Sequence, residues 1–241
     1  MISFVIPAFN ENDIIADTIL RLREGAKEIP HEIILSDDGS ADKTAGTASK
    51  YADAVIKYGG EVPKTIGAAR NRGARAARFP ILVFLDSDVR IRDPQVFLKK
   101  AIEHFESNSQ FVALAVSVRV YPETETWADR IIFAISDIYF RIAHFLGHGL
   151  AQKCMIVRRE AFQRIGGFNE SLVAAEDLDL FLRLSKAGRT AFDASMRVYF
   201  SGRRAHKLGW PALLWQWWRD SLWLLLFRRS YSRRWNRVEK P

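Results

Sequence analysis

The chain has 241 residues, 48% hydrophobic and 27% charged, a balance that supports a packed core and excludes a disordered polyelectrolyte. Its single cysteine, Cys154, excludes an internal disulfide framework and fits a reducing compartment. The net charge of +8 is gathered at one end: from Arg197 onward eleven Lys or Arg residues face only Asp220 and Glu239, and six tryptophans lie among them, from Trp210 to Trp235.

Strand-like and helix-like stretches alternate along the chain, which predicts an α/β fold with a mostly parallel central sheet and helices on both faces. The opening Ile2-Ser3-Phe4-Val5-Ile6 reads as a strand ending at Pro7. No basic stretch or small-residue cleavage site goes with it, so no secretory signal is expected. A helix over 11–27 follows, with Asn10 or Asn12 as its cap. Next come a strand over 32–35, a helix from Asp42 to near Tyr51, a strand over 54–57 and an alanine- and arginine-rich helix over 67–78. Ile81-Leu82-Val83-Phe84-Leu85 is a continuous apolar run, as expected of a strand buried on both faces. A helix from Pro94 to about Phe105 and a strand over 111–120 complete this part.

Two later stretches are apolar without being long enough to span a bilayer, and no window reaches about 18 uninterrupted apolar residues. Residues 127–146 carry Ile131, Ile132, Ile135, Ile138, Ile142 and Phe145 at helical spacing. Such a helix packs on the domain's own core or lies in a membrane interface. Residues 208–227 are helix-compatible, with Pro211 suited to a first turn, and end on Arg228-Arg229. Tryptophan beside arginine suits the headgroup region, so residues 206–241 are expected to form a basic, tryptophan-rich segment that rests on a membrane surface, following a main domain over 1–205. An oligomerisation face is the other reading of that segment.

The chemistry lies where apolar strands end. Ligands of open α/β sheets bind at the carboxyl ends of the strands. Asp37 and Asp38 follow the second strand, and Asp86 and Asp88 follow the fourth. Carboxylates so placed repel one another unless a cation or hydrogen-bond donors compensate. If the backbone stays extended, Asp86 and Asp88 point the same way and suit a shared hard cation. Further on, the turn Gly166-Gly167 precedes Glu176-Asp177-Leu178-Asp179, which opens an amphipathic helix. Acids there suit the helix dipole, but a carboxylate is also what a base acting on a sugar hydroxyl requires.

Five segments together resemble the inverting family 2 glycosyltransferases of the GT-A fold, over roughly residues 2–204. They are Val5-Ile6-Pro7-Ala8-Phe9-Asn10-Glu11, Ser36-Asp37-Asp38-Gly39-Ser40-Ala41-Asp42, Gly67-Ala68-Ala69-Arg70-Asn71-Arg72-Gly73, Phe84-Leu85-Asp86-Ser87-Asp88, and Gly166-Gly167-Phe168-Asn169-Glu170 with Glu176-Asp177. The resemblance implies that Asp38 reads the base of a UDP- or GDP-sugar, with Pro7, Phe9 and Glu11 lining its pocket. Asp88 would be the principal ligand of Mg²⁺ or Mn²⁺, with Asp86 on the ribose or the metal. Asp177 would be the catalytic base, and Arg70, Arg203 and Arg204 would assist the leaving diphosphate. Ser201-Gly202-Arg203-Arg204 resembles a basic loop of some members, and His206 is a further candidate metal ligand.

The implied reaction moves one sugar, with inversion, to an acceptor hydroxyl or phosphate, and the basic end favours a lipid-linked acceptor. Processive members carry Gln-x-x-Arg-Trp, whereas here Gln216-Trp217-Trp218-Arg219 is followed by Asp220, which speaks for single transfer. The expected setting is cytoplasmic, at the inner face of the membrane. A non-catalytic membrane- or nucleic-acid-binding protein is the alternative, but acidic strand ends would repel a nucleic-acid backbone, and no nucleic-acid partner is expected. A haloacid-dehalogenase-type phosphatase also places Asp-x-Asp after a strand, yet it leaves the other four segments unexplained.

Overall fold

A computed structural model describes residues 1–60, 64–150 and 152–232. Trp235 and the basic residues from Arg233 onward, part of the expected membrane-surface segment, lie outside the described residues. In chain order the first elements are β1 (Ile2–Ala8), α1 (Asn12–Gly25), β2 (His31–Asp37), α2 (Thr44–Ala48), β3 (Ala54–Lys57), α3 (Ile66–Ala76) and β4 (Ile81–Leu85). These strands are mutually parallel: β1 pairs with both β2 and β4, and β2 with β3. Side chains alternate between two cores, Phe4, Ile6, Val83 and Leu85 on one face and Val5, Leu82 and Phe84 on the other. A sheet covered on both faces accounts for the uninterrupted apolar run of β4.

The second half follows as β5 (Val89–Ile91), α4 (Pro94–Glu106), β6 (Phe111–Val120), α5 (Trp127–Phe145), β7 (Cys154–Arg158), α6 (Arg159–Arg164), α7 (Glu176–Ala187), β8 (Arg189–Phe200), α8 (Arg203–Leu208) and α9 (Trp210–Phe227). The sheet order is β3-β2-β1-β4-β7-β6-β8-β5. Here β7 enters antiparallel between β4 and β6, β8 runs parallel to β6, and β5 closes the edge antiparallel to β8. The sheet is thus mostly parallel, with antiparallel pairs in its later half.

Several boundaries differ from the sequence reading, each for a local reason. Neither Asn10 nor Asn12 caps α1: Glu11 holds the cap position without a side-chain bond. Asn10 Oδ1 instead accepts from Ala41 N, and Asn12 Oδ1 from Thr47 Oγ1. The α2 helix shrinks to one turn because Asp42 turns the chain by accepting from Thr44 N. The α3 helix stops at Ala76, since Ala77 is extended and Arg78 donates from both N and Nε to Glu32. The expected basic loop after β8 winds into α8, with Gly202 in left-handed conformation at its start. The expected boundary at residue 205 falls inside that helix, where Ala205 is buried. Among the described residues no helix is long and apolar enough to cross a membrane.

Candidate active site

Because β1, β2 and β4 are parallel, their carboxyl ends meet at one edge of the sheet, and the loops leaving them build one side of a cleft. After β4 the backbone turns: Val89 N donates to Asp86 O at 3.0 Å. The extended geometry that would aim Asp86 and Asp88 together is therefore absent, and each carboxylate meets its own partners. Asp86 accepts from Arg70 Nη2 at 2.8 Å and from Lys153 Nζ at 2.9 Å. Burial alone would raise Asp86, but Lys153 and Arg70 outweigh it and hold the carboxyl down to about 2. Asp88 Oδ2 accepts from Ser201 Oγ at 2.7 Å, while its Oδ1 meets no partner among the described residues. Tyr121 donates its hydroxyl to Asp88 O at 2.5 Å. Burial and the Asp88 charge push that phenol up to about 12, so it stays a donor.

On the β1–β2 side Pro7 is buried within β1 opposite Ser36, and Phe9 is half-buried just beyond. Buried Glu11 accepts from Arg203 Nη2 at 3.1 Å, so Arg203 reaches from α8 to this loop. Asp38 is buried and accepts from Arg72 Nη2 at 2.9 Å. The Arg72 guanidinium lies 5.2 Å from the Tyr58 ring, and Lys64 Nζ lies 5.0 Å from the Phe9 ring and 5.1 Å from Tyr58. Sequence reasoning gave Tyr58, Lys64 and Arg72 no role, though Arg72 stood inside a motif already singled out.

The opposite wall is the segment from Gly166 to the start of α7. Asn71 of α3 fastens it, accepting from Phe168 N and donating to Phe168 O, both at 2.9 Å. Gly167 is left-handed at φ 73°, and a Cβ there would lie 2.6 Å from Asn71 Oδ1. Arg70, 3% exposed, spans the cleft: its Nη1 donates to Glu176 Oε1 at 2.7 Å while its Nη2 holds Asp86. Asp177 is half-buried beside Glu176. Burial, then the Glu176 charge, push its carboxyl up to about 7, against the pull of Arg70. Among the described residues, three of the four non-glycine residues at positive φ sit in the cleft loops: Asn10, Lys153 and Ala175. Such conformations cost of order 1–3 kcal/mol each and persist where surrounding structure fixes them.

The cleft opens into a cavity of about 850 Å³ between α5, α7 and α9. Arg70, Asp86, Lys153, Glu176 and Asp177 form its polar end, and apolar side chains of α5 and α9 form its long walls. Arg204 also lines this cavity and donates to Gln216 Oε1 at 3.1 Å, away from Asp86 and Asp88. The candidate ligand His206 points to Asp129 at 2.9 Å. Lys153 and Ser201, which sequence reasoning did not assign, complete the surroundings of Asp86 and Asp88. They come from the ends of β7 and β8, and although Ser201 opens the quoted basic-loop motif, nothing local ties either residue to these aspartates.

Residues suited to a divalent cation are present in part. Among the described residues no group of three His, Cys, Asp or Glu could hold one unaided. Mg²⁺ and Mn²⁺ need only one or two protein carboxylates when substrate phosphates supply the rest. Asp88, with one oxygen unengaged, fits that part; Asp86 is already neutralised by two cations.

The structure resembles the mannosyltransferase PcManGT from Pyrobaculum calidifontis, solved in complex with GDP-Man and Mn²⁺, with a TM-score of 0.67 and 16% identity over 89% of this chain and 59% of that one. The fold is that of the GT-A glycosyltransferases. The chain belongs to glycosyl transferase family 2, whose family model matches residues 3–166. It is 37% identical over 93 residues to validoxylamine A glucosyltransferase of Streptomyces hygroscopicus subsp. limoneus, covering 37% of this chain and 20% of that protein. It is 29% identical over 154 residues to dolichyl-phosphate beta-glucosyltransferase of Mus musculus, covering 57% and 47%. The chain thus spans less than half the length of either relative.

Proposed function

We propose that this chain transfers a single sugar from a UDP- or GDP-sugar to an acceptor hydroxyl, with inversion at the anomeric carbon. The observation that carries this reading is Asp177: a carboxyl raised to about 7 at the polar end of a cavity it shares with Asp86 and Arg70. A general base works best with proton affinity near the operating pH, and a hydroxyl needs one, whereas a phosphate acceptor is already anionic. The acceptor O–H gives its proton to Asp177, its oxygen bonds to the anomeric carbon, and the bond to the diphosphate breaks with its electron pair leaving on the phosphate oxygen. Mg²⁺ or Mn²⁺ at Asp88, when bound, supplies positive charge to that leaving group. Asp38, held by Arg72, offers an acceptor to the base, Pro7 and Phe9 border it, and Arg203 is fixed by Glu11 on the same side.

The PcManGT complex with GDP-Man and Mn²⁺ supports the donor class and the metal. The name of the mouse relative carries a lipid, which supports a lipid-borne acceptor though not the hydroxyl argued from Asp177, and the exposed apolar faces of α5 and α9 fit a membrane surface. We therefore assign a lipid-borne acceptor met at the inner face of a membrane, with the segment from residue 206 onward as the contact. The test is a panel of UDP- and GDP-sugars with Mn²⁺ or Mg²⁺, read by thermal shift and diphosphate release. At least one donor is expected to stabilise the protein only when metal is present, and Asp88→Ala to abolish that response. No metal-dependent response to any donor refutes the reading, and a product linkage of retained configuration refutes inversion.

A further inference from the structure

The cavity between α5 and α9 is far less polar than sugar transfer requires. Ile132, Tyr139 and Ala143 of α5 face Leu214, Trp217 and Leu225 of α9 across it. Its walls run out onto the surface without a polar rim: Ile135 and Trp218 line the cavity and are still 61% and 56% exposed. Its charged side chains gather at the deep end, around Lys153 and Asp177, with only Arg204 and Asp220 besides, on the α8–α9 side.

The way α9 is held keeps this space open. Fully buried Asp129, near the start of α5, accepts from Trp210 Nε1 at 2.7 Å and from His206 Nε2 at 2.9 Å. Past the far end of α9, Ser230 Oγ accepts from Val173 N at 2.8 Å and Ala174 N at 3.1 Å. Beyond the Asp129 tie, no hydrogen bond joins α5 to α9 among the described residues. α9 is thus tied to α5 at its first residue and to the loop before α7 past its last, and the stretch between, bare of hydrogen bonds to α5, leaves a slot.

We infer that this slot binds the apolar chain of a single-chain amphiphile, the acceptor lipid, which enters between α5 and α9 from a membrane with its polar end at Asp177. The assignment of that end rests on the transfer reading above; chain binding does not. A ligand apolar along its length and polar at one end matches a cavity with the same asymmetry. Exposed Arg141, Arg228 and Arg229 beside the helices suit an anionic headgroup layer. A second protein copy seated here would seal the path to Asp177, and a nucleotide would find few hydrogen-bonding groups along these walls.

The test uses octyl, decyl and dodecyl β-glucosides below their micelle concentrations, with no donor or metal, read by tryptophan fluorescence and by quenching with a brominated chain. Each buried methylene is expected to tighten binding about fourfold. Ser136→Trp, which fills the slot from a half-buried position, should weaken dodecyl glucoside binding at least tenfold and flatten the length dependence. Its circular dichroism is checked against wild type, and Ala143→Leu provides a second, milder block. Length-independent binding, unchanged binding by both folded variants, or a sedimenting dimer that excludes the glucosides overturns the inference. Chain binding without any donor response would instead refute the transferase reading and leave the slot standing.

Discussion

Asp86 and Asp177 border the same polar pocket, yet their surroundings push them in opposite directions. Lys153 and Arg70 overcome burial at Asp86 and hold it near 2, while burial and Glu176 lift Asp177 to about 7. Carboxylates separated in this way take different tasks, one a fixed charge and the other a proton acceptor. The rate kcat/KM is therefore expected to rise with pH and reach half its plateau near pH 7. Asp177→Asn should keep donor binding while lowering turnover by about 10²- to 10⁴-fold; retained transfer refutes the assignment. The same group has a stability signature. Between about pH 4 and 7 the folded chain keeps a proton that the unfolded chain has lost, so stability falls as pH rises through that window. Asp177→Asn should thus raise Tm at pH 8, by an amount worth ~1–3 kcal/mol, and leave it unchanged near pH 4. A gap independent of pH would show that burial does not perturb this carboxyl. Asp177 and Asp88 could be proposed from the sequence because each sits in a motif beside an element boundary. Lys153 and Tyr121 stood in no such motif, and Ser201 stood in one without a role, since their relation to Asp86 and Asp88 exists only after distant strands pair.

At the scale of elements, α3 does more than supply arginines. It lies so close on β1 that a Cβ at Gly73 would sit 2.5 Å from Val5 Cγ1. The glycine is needed for that approach, which brings Arg70 and Arg72 in buried from one helix to three carboxylates, Asp86, Glu176 and Asp38. Gly73→Ala is expected to cost about 1–3 kcal/mol by overpacking and to weaken donor binding by displacing Arg72 from Asp38. Urea unfolding and nucleotide titration measure both, and an unchanged donor affinity would separate the helix position from the site. The parallel half of the sheet was readable because its strands are short, apolar and spaced by helices. The rest was obscured by β7, whose insertion between β4 and β6 has no local mark. In β8 the polar run Asp193-Ala194-Ser195 meets a register shift that breaks any period of two. The one-turn α2 and α8 are too short for periodicity to reveal.

Over the whole molecule, apolar exposure is concentrated rather than scattered. Trp127 and Phe145, at the two ends of α5, are 77% and 89% exposed, and α9 adds Trp215, Leu226 and Phe227. Isolated surface hydrophobics need no explanation, but a continuous band of them, edged by arginines, does. Binding to anionic vesicles in a pelleting assay is expected at low salt, with loss as salt is raised, and Trp127→Asp with Phe145→Asp should abolish most of it. No pelleting at low salt would remove the membrane from this account and return α5 and α9 to contacts between protein copies.

Arg70 joins these scales. A single guanidinium holds Asp86, two residues from the proposed metal ligand Asp88, and Glu176, next to the proposed base Asp177. A donor that engages Asp86 must compete with that guanidinium, and any change in how its charge is shared reaches Asp177 one residue away from Glu176. On the proposed assignment, the basicity of Asp177 would depend on whether Asp86 is engaged by a donor, with no backbone movement required. Under the proposed transfer, the pH midpoint of turnover should therefore differ between limiting and saturating donor, and one midpoint at every donor concentration would break the link.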